Sequence, residues 1–224
     1  MKLYYHPISN TSRPIMMFAA DSNIALEYQV VDLFTGEHVQ PPYLAKNPSG
    51  LVPMLEDGDF MLTESSAILK YLADKIGSPA YPKDLKQRAR VNERMDWLNT
   101  QFYREWGYGL LYPQLFPHLK RSDEQVQKGT VAWGKEKSKA WLKVLDEKLI
   151  GPKNAYLCGN ELTIADYFGA ALVTAGDAAR CNLSVYPNIT RWLNAMKSRP
   201  NWAKVNKPFY DLVGSLKDMP LEAV

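Results

Sequence analysis

Apolar positions in the first eighty residues recur in short runs of changing period. "KLYYH" (residues 2–6) alternates, and "ALEYQVVDL" (25–33) places Leu26, Tyr28 and Val30 on one face. Period-two patterning with β-branched and aromatic residues predicts strands. "PIMMFAAD" (14–21) reads as a helix between them. "VPMLEDGDFMLT" predicts two short strands around Asp57-Gly58, a strong hairpin signal. "TESSAILKYLADKIG" then sets Ile68, Leu69, Leu72 and Ile76 on one helical stripe, with Gly77 and Pro79 as its stop. Strand, helix, strand, helix, hairpin, helix is α/β order with a small mixed sheet.

The period changes after "GSPAYPKD". From Leu85 to about Lys148 the pattern is that of long amphipathic helices, broken near Pro113 and Pro117. Shorter helices are expected after Thr163, Pro187 and Pro200. The expectation is an α/β domain over residues 1–77, a linker over 78–85 and an all-helical domain over 86–224.

Composition narrows the function classes. The 224 residues are 46% hydrophobic, which supplies a core and excludes a disordered chain. A net charge of +3 without a Lys/Arg run gives no nucleic-acid or membrane surface. Cys158, Cys181, His6, His38 and His118 lack metal-ligand spacing, so no metal and no disulfide framework is expected. "MKLYYHP" lacks an apolar leader, and no stretch approaches the roughly 20 apolar residues of a membrane span. A soluble, cytoplasmic protein is the expectation.

Three places carry candidate chemistry. "YYHPISNTSRP" crowds hydroxyls before the first helix. Asn10, Thr11 or Ser12 would serve as a cap, and only one is needed. Ser9 lies earlier, where its hydroxyl could cross the helix N-terminus and donate to an anion. No GxSxG elbow or His–Asp pair supports a serine hydrolase. Val52-Pro53 stands before a pairing strand, where proline takes the first position. The residues alone favour an ordinary trans proline. A cis bond would turn Val52 outward, to pair its N–H and C=O with an extended peptide. Glu64 and Ser65 begin the third helix. Thr63 as cap and Glu64 as dipole complement suffice for stability and are the account the residues alone favour; Glu64 and Ser65 could also bind the ammonium and carboxylate of an amino-acid head.

Taken in order, these segments resemble the glutathione transferases, in detail the serine-type theta and delta classes, over nearly the whole chain. "ISNTSR" is similar to the family's catalytic Ser-x-x-x-Arg segment, with Ser9 at the catalytic position and Arg13 at the arginine. "NPSGLVPMLEDGDFMLTESSAILKYL" resembles the stretch with the cis-proline and the Glu/Ser-Ser motif, which implies glutathione binding by Val52, Pro53, Glu64 and Ser65. "GEHVQPPYLAKNP" is similar to a theta-like loop, which implies that His38 reaches the glycine end. "ELTIADYF" resembles the buried capping box of the helical domain, with Thr163 and Asp166 spaced as N-cap and N3.

The resemblance implies a thioredoxin-like N-terminal domain and an all-helical C-terminal one. It also implies glutathione as co-substrate, no metal, and a homodimer. Two positions depart from the theta pattern. Leu51 stands where that pattern has a basic residue, leaving His38, with Lys46, for the glycyl carboxylate. "FYREW" keeps one arginine, Arg104, of a pair. Tyr103, Arg104, Trp106 and Tyr112 are the expected electrophile pocket, an apolar aromatic wall for a hydrophobic electrophile. The implied activity is conjugation of the glutathione thiolate to such electrophiles. A glutathione-dependent dehalogenase or isomerase, or a non-catalytic ligand- or protein-binding module, are the alternatives.

Overall fold

The computed structural model describes residues 1–224. The chain opens with β1 (Lys2–Tyr5), α1 (Arg13–Asp21) and β2 (Glu27–Val30). A 3₁₀ turn (Glu37–Val39) and α2 (Pro41–Leu44) lead to the hairpin β3 (Met54–Asp57) and β4 (Phe60–Leu62), and then to α3 (Ser65–Lys75). The four strands form one sheet in the order β2-β1-β3-β4. β1 and β2 are parallel, while β1–β3 and β3–β4 are antiparallel. A parallel pair needs a crossover, and α1 supplies it.

Alternation along β1 feeds two clusters. Leu3 joins the main core with Ile15, Phe18, Leu55, Ile68 and Leu72. Its neighbour Tyr4 faces the other way, onto Val31, Tyr43 and Met54. The hairpin turns through Gly58 at φ +65°, a conformation glycine adopts without cost.

Two expectations of this half are corrected. β2 is an outer strand exposed along its length, with Tyr28 and Val30 each 43% accessible, and Val31 is the residue that buries. Ile76 is exposed because α3 ends one residue before it.

The helical half starts with α4 (Leu85–Trp97), whose N-cap Asp84 accepts from the Lys86 and Gln87 amides. The helix then widens into π-helical turns over Leu98–Phe102 and Arg104–Leu111, and continues as α5 (Tyr112–Leu115). After the prolines come α6 (Glu124–Val144), α7 (Ile164–Val173), α8 (Pro187–Lys197) and α9 (Trp202–Ser215). α6 crosses the π segment at close range. A Cβ added to Gly134 would stand 2.3 Å from the Gly109 carbonyl carbon, so the contact exists only without one.

Every residue of α7 is buried. The capping box at its start is formed as the spacing predicts. Asp166 does more than cap. One oxygen accepts from the Thr163 amide (2.8 Å) and hydroxyl (2.9 Å). The other accepts from the Leu157 amide (2.8 Å) and the Trp192 indole (3.0 Å). Asp146 repeats the device between elements, accepting from the Asn188 and Ile189 amides at the start of α8.

The two halves are joined through α1. At its first residue, Arg13 is fully buried and donates to Asn206 (2.7 Å), the Ala171 carbonyl (2.8 Å) and Asn10 (2.6 Å). Its guanidinium lies 3.8 Å from the centre of the Phe209 ring. At the last residue of α1, Asp21 accepts from Arg199, Asn201 and Tyr167. Both ends of one helix are thereby tied to α7, α9 and the turn before α9.

Candidate functional site

A cleft of about 510 Å³ runs between the two halves. That volume lies within the usual range of small-ligand sites. One wall is built from the ends of α/β elements: Thr11, Val52, Pro53, Glu64 and Ser65. The facing wall is one side of the π segment: Asn99, Thr100, Tyr103, Arg104 and Tyr108.

The Val52-Pro53 bond is cis, in place of the trans bond that the residues alone favour. Pro53 precedes β3, the first-residue position that a missing N–H tolerates. The Val52 amide makes no hydrogen bond within the chain, and its carbonyl accepts from the Thr11 hydroxyl at 3.1 Å. An extended ligand strand would find the donor open and one acceptor lone pair in use. The loop before it is fixed by Tyr43 and Asn47, which both donate to the Leu51 carbonyl. The Leu51 side chain is exposed at the rim.

Glu64 stands at the N-cap of α3 with φ +64° and no capping bond from its side chain. A non-glycine residue in that region is strained and persists where its surroundings over-determine it. The arrangement turns an exposed carboxylate into the cleft beside the unpaired first amides of α3 and the buried Ser65. One charge-accepting and one charge-donating group therefore sit side by side.

The first turn of the opening helix closes on Ser9, whose carbonyl accepts from the Ser12 amide (3.1 Å) and the Arg13 amide (3.0 Å). The Ser9 hydroxyl accepts from the Ser12 amide at 3.2 Å and lies 3.0 Å from the Thr11 hydroxyl. Thr11 spends its only proton on Val52, so the Ser9 proton is the one shared between them. Thr11 lines the cleft, while Ser9, partly accessible, is not among the lining residues. Thr11 is a cleft-lining residue that the sequence offered only as one of three possible caps.

The other expected residues divide. Tyr103 and Arg104 line the cleft, and Arg104 is exposed and paired with Glu105 at 2.9 Å. Trp106 does not. It is fully buried, its indole donates to the Leu172 carbonyl at 3.1 Å, and its ring fills the space over Gly176. Tyr112 stands behind the wall, in contact with Tyr103. The facing wall is consequently mostly polar, where an apolar aromatic one was expected. Phe102 and Trp106 stack on each other in the core, on the opposite side of the helix from Asn99, Thr100 and Arg104.

His38, in the 3₁₀ turn, is half-buried and does not line the cleft, and its Nδ1 is buried without a partner. Lys46 is engaged with Glu56 at 3.5 Å.

Electrostatics around the cleft favour neutral phenols and a nearby cation. Burial raises Tyr103 well above the usual phenol range and raises Tyr112 in the same direction. Burial, with a smaller contribution from the Glu64 charge, raises Tyr108. Arg13 is lowered to about 10 by burial, so it stays charged at neutral pH. Burial lifts both cysteine thiols to about 11, which removes them as nucleophiles at pH 7.

Comparison with known proteins agrees with this architecture. Residues 1–74 match the family model of the glutathione S-transferase N-terminal domain, and residues 113–200 that of its C-terminal domain. Human glutathione S-transferase theta-1 is 33% identical over 195 residues, 86% of this chain and 80% of its own length. The crystal structure of human glutathione transferase theta-2, in complex with glutathione and an unknown ligand, is 27% identical, with a TM-score of 0.85 over 100% of this chain and 93% of that one. A delta-class glutathione transferase from Nilaparvata lugens is 30% identical, with a TM-score of 0.77 over 96% of this chain and 99% of that one. A thioredoxin-like sheet followed by a helical domain, both family models in order and a theta-class relative along most of the chain show one thing: the chain belongs to the glutathione S-transferase family, transferases whose co-substrate is glutathione.

Proposed function

We propose that the Ser9 hydroxyl holds the thiolate of glutathione laid along the cleft, and that this thiolate attacks an electrophile bound against the π segment. The observation that carries the reading is the proton arrangement at the head of α1. Thr11 is committed to Val52, while the Ser9 proton has only another hydroxyl to go to and is free to turn to a sulfur.

Glutathione fits the first wall by chemistry. Its cysteinyl backbone would pair with the open Val52 amide. Its γ-glutamyl carboxylate would meet Ser65 and the first amides of α3, and its ammonium would meet Glu64. His38 and Lys46 are the groups proposed for the glycyl carboxylate.

The energies are adequate. A thiol with a pKa of about 8.5 is only ~3% ionised at neutral pH. Lowering it by two units takes ~2.7 kcal/mol. One charge-assisted hydrogen bond contributes ~1.5–3 kcal/mol and a helix N-terminus ~0.3–1 kcal/mol. Ser9 with the first turn of α1 therefore suffices, and no metal is required for the ionisation.

The deciding measurement is ultraviolet titration of the thiolate in the glutathione complex. Ser9→Ala should move its pKa back towards about 8.5 with binding little changed. One observation favours a second reading, since Thr11 and not Ser9 lines the cleft. A thiolate pKa that rises in Thr11→Val and stays in Ser9→Ala would transfer the role to Thr11. The same reading carries a homodimer and a cytoplasmic location, the first of which sedimentation would test.

A further inference from the structure

β2 ends the sheet on one side and leaves its outer edge open. The Glu27 and Val31 amides turn inward, to the Met1 and Tyr5 carbonyls at 3.0 and 2.8 Å. Hydrogen-bonding direction alternates along a strand, so the Tyr28 and Val30 amides point outward, where no strand meets them. The Tyr28 carbonyl is open beside them. The Val30 carbonyl is covered by the exposed Gln29 side chain, which donates to it at 3.2 Å. Sheet edges are commonly guarded by lysine, proline or a bulge. β2 has none of these: it reads Glu27, Tyr28, Gln29, Val30, all exposed and in unbroken register with β1.

The surface beside that edge is apolar. Tyr28 and Val30 share one face of the strand, where the Tyr28 ring meets Tyr5 edge-on at 5.3 Å. Just past the strand, Phe34 is 67% accessible and stands edge-on to His6 at 5.4 Å. Negative charge gathers at the same end. Asp32 accepts from the Phe34 and Thr35 amides, and Glu37 from the Asp32 amide, so both carboxylates spend their hydrogen bonds on backbone and not on a base. At the other end Glu27 is held by Lys2 at 3.0 Å. A second copy of this chain fits the edge poorly. Antiparallel pairing of two β2 strands about Gln29 sets Glu27 of each beside Asp32 of the other, carboxylate next to carboxylate.

We propose that the β2 edge docks an extended segment of a partner protein, added antiparallel as a fifth strand, with two apolar residues opposite Tyr28 and Val30 and basic residues N-terminal to them. Each requirement has its cause. Open main-chain donors and acceptors select an extended backbone. The apolar residues stand two apart because alternate side chains share a face. Antiparallel pairing is the more stable sense, and it carries the N-terminal end of the segment past Val30 to Asp32 and Glu37. A short edge buries little area, so the complex is a transient one. No residue of β2 lines the cleft. Docking therefore leaves the glutathione site untouched, and the proposal does not depend on the thiolate reading.

The test titrates the full chain into the peptide Lys-Arg-Val-Thr-Val-Thr, labelled at its C-terminal end, and follows fluorescence anisotropy. Binding should saturate and should weaken as salt is added. Val30→Pro removes one outward donor at a position where an edge strand tolerates proline. It should weaken binding at least about tenfold, with the rate of glutathione conjugation unchanged. Replacing the Lys-Arg of the peptide by Glu-Glu should cost at least as much. In this pairing the amides of the two valines face β2, so a peptide N-methylated at both should not bind, and it stands in if Val30→Pro does not fold. No saturable binding, equal binding of the Glu-Glu peptide, or undiminished binding of the N-methylated one would overturn the proposal. Sedimentation in which Val30→Pro lowers the oligomeric state would overturn it too, by giving the edge to a second copy.

Discussion

Asp166 concentrates more consequence than any other single side chain of the helical half. The spacing Thr-x-x-Asp before an apolar run made its capping role legible, because both halves of a capping box lie within four residues. Its bonds to Leu157 and Trp192 were not legible, since they depend on which distant groups the fold brings to the same carboxylate. With four donors on one buried group, Asp166→Ala should cost about 2–4 kcal/mol, more than a surface cap. Urea denaturation would measure it. Burial also pushes the carboxyl up to about 6. Between about pH 4 and 6 the native state therefore holds a proton that the unfolded chain has released. Stability from this group is then greatest below that window and falls as pH rises through it. Asp166→Asn, which cannot ionise, should show a flatter dependence over the same range. Trp106 was misplaced for a related reason. Aromatic residues occupy both sides of this stretch, and pattern alone cannot say which side meets the core and which the cleft.

Among the elements, α/β order and the hairpin were readable because period and turn chemistry are local. The outer position of β2 was not, as strand order is a property of the whole sheet. The π segment was also hidden. Its residues carry an ordinary helical pattern, and the widening belongs to a helix that must present Tyr103 on one side and bury Phe102 and Trp106 on the other. The contact of Gly109 with Gly134 holds this segment against α6. Gly134→Ala puts a methyl group into backbone and should destabilise by at least about 1–3 kcal/mol, by forcing the helices apart. Thermal unfolding would record the loss. The displacement of the cleft wall should appear as a raised KM for the electrophile with the glutathione KM little affected.

For the whole molecule, α1 is the connecting piece. Arg13 at its start and Asp21 at its end are both tied to the helical half, and both are nearly inaccessible. A long-range tie of this kind leaves no mark on local patterning, and the opening segment suggests only a cap and a hydroxyl. The ties predict that the sheet and the helical half unfold together, with equal calorimetric and van't Hoff enthalpies. Replacing both anchors, Arg13→Met with Asp21→Asn, should lower the midpoint and separate the trace into two transitions. A wild-type trace already split in two would show that the ties do not couple the halves. The same fastening bears on kinetics. A crevice whose facing banks share one spar has a constant gape, so ligand capture proceeds without a slow closing stage. Stopped-flow traces of glutathione uptake should then be single-phased, with an observed rate that climbs linearly with concentration.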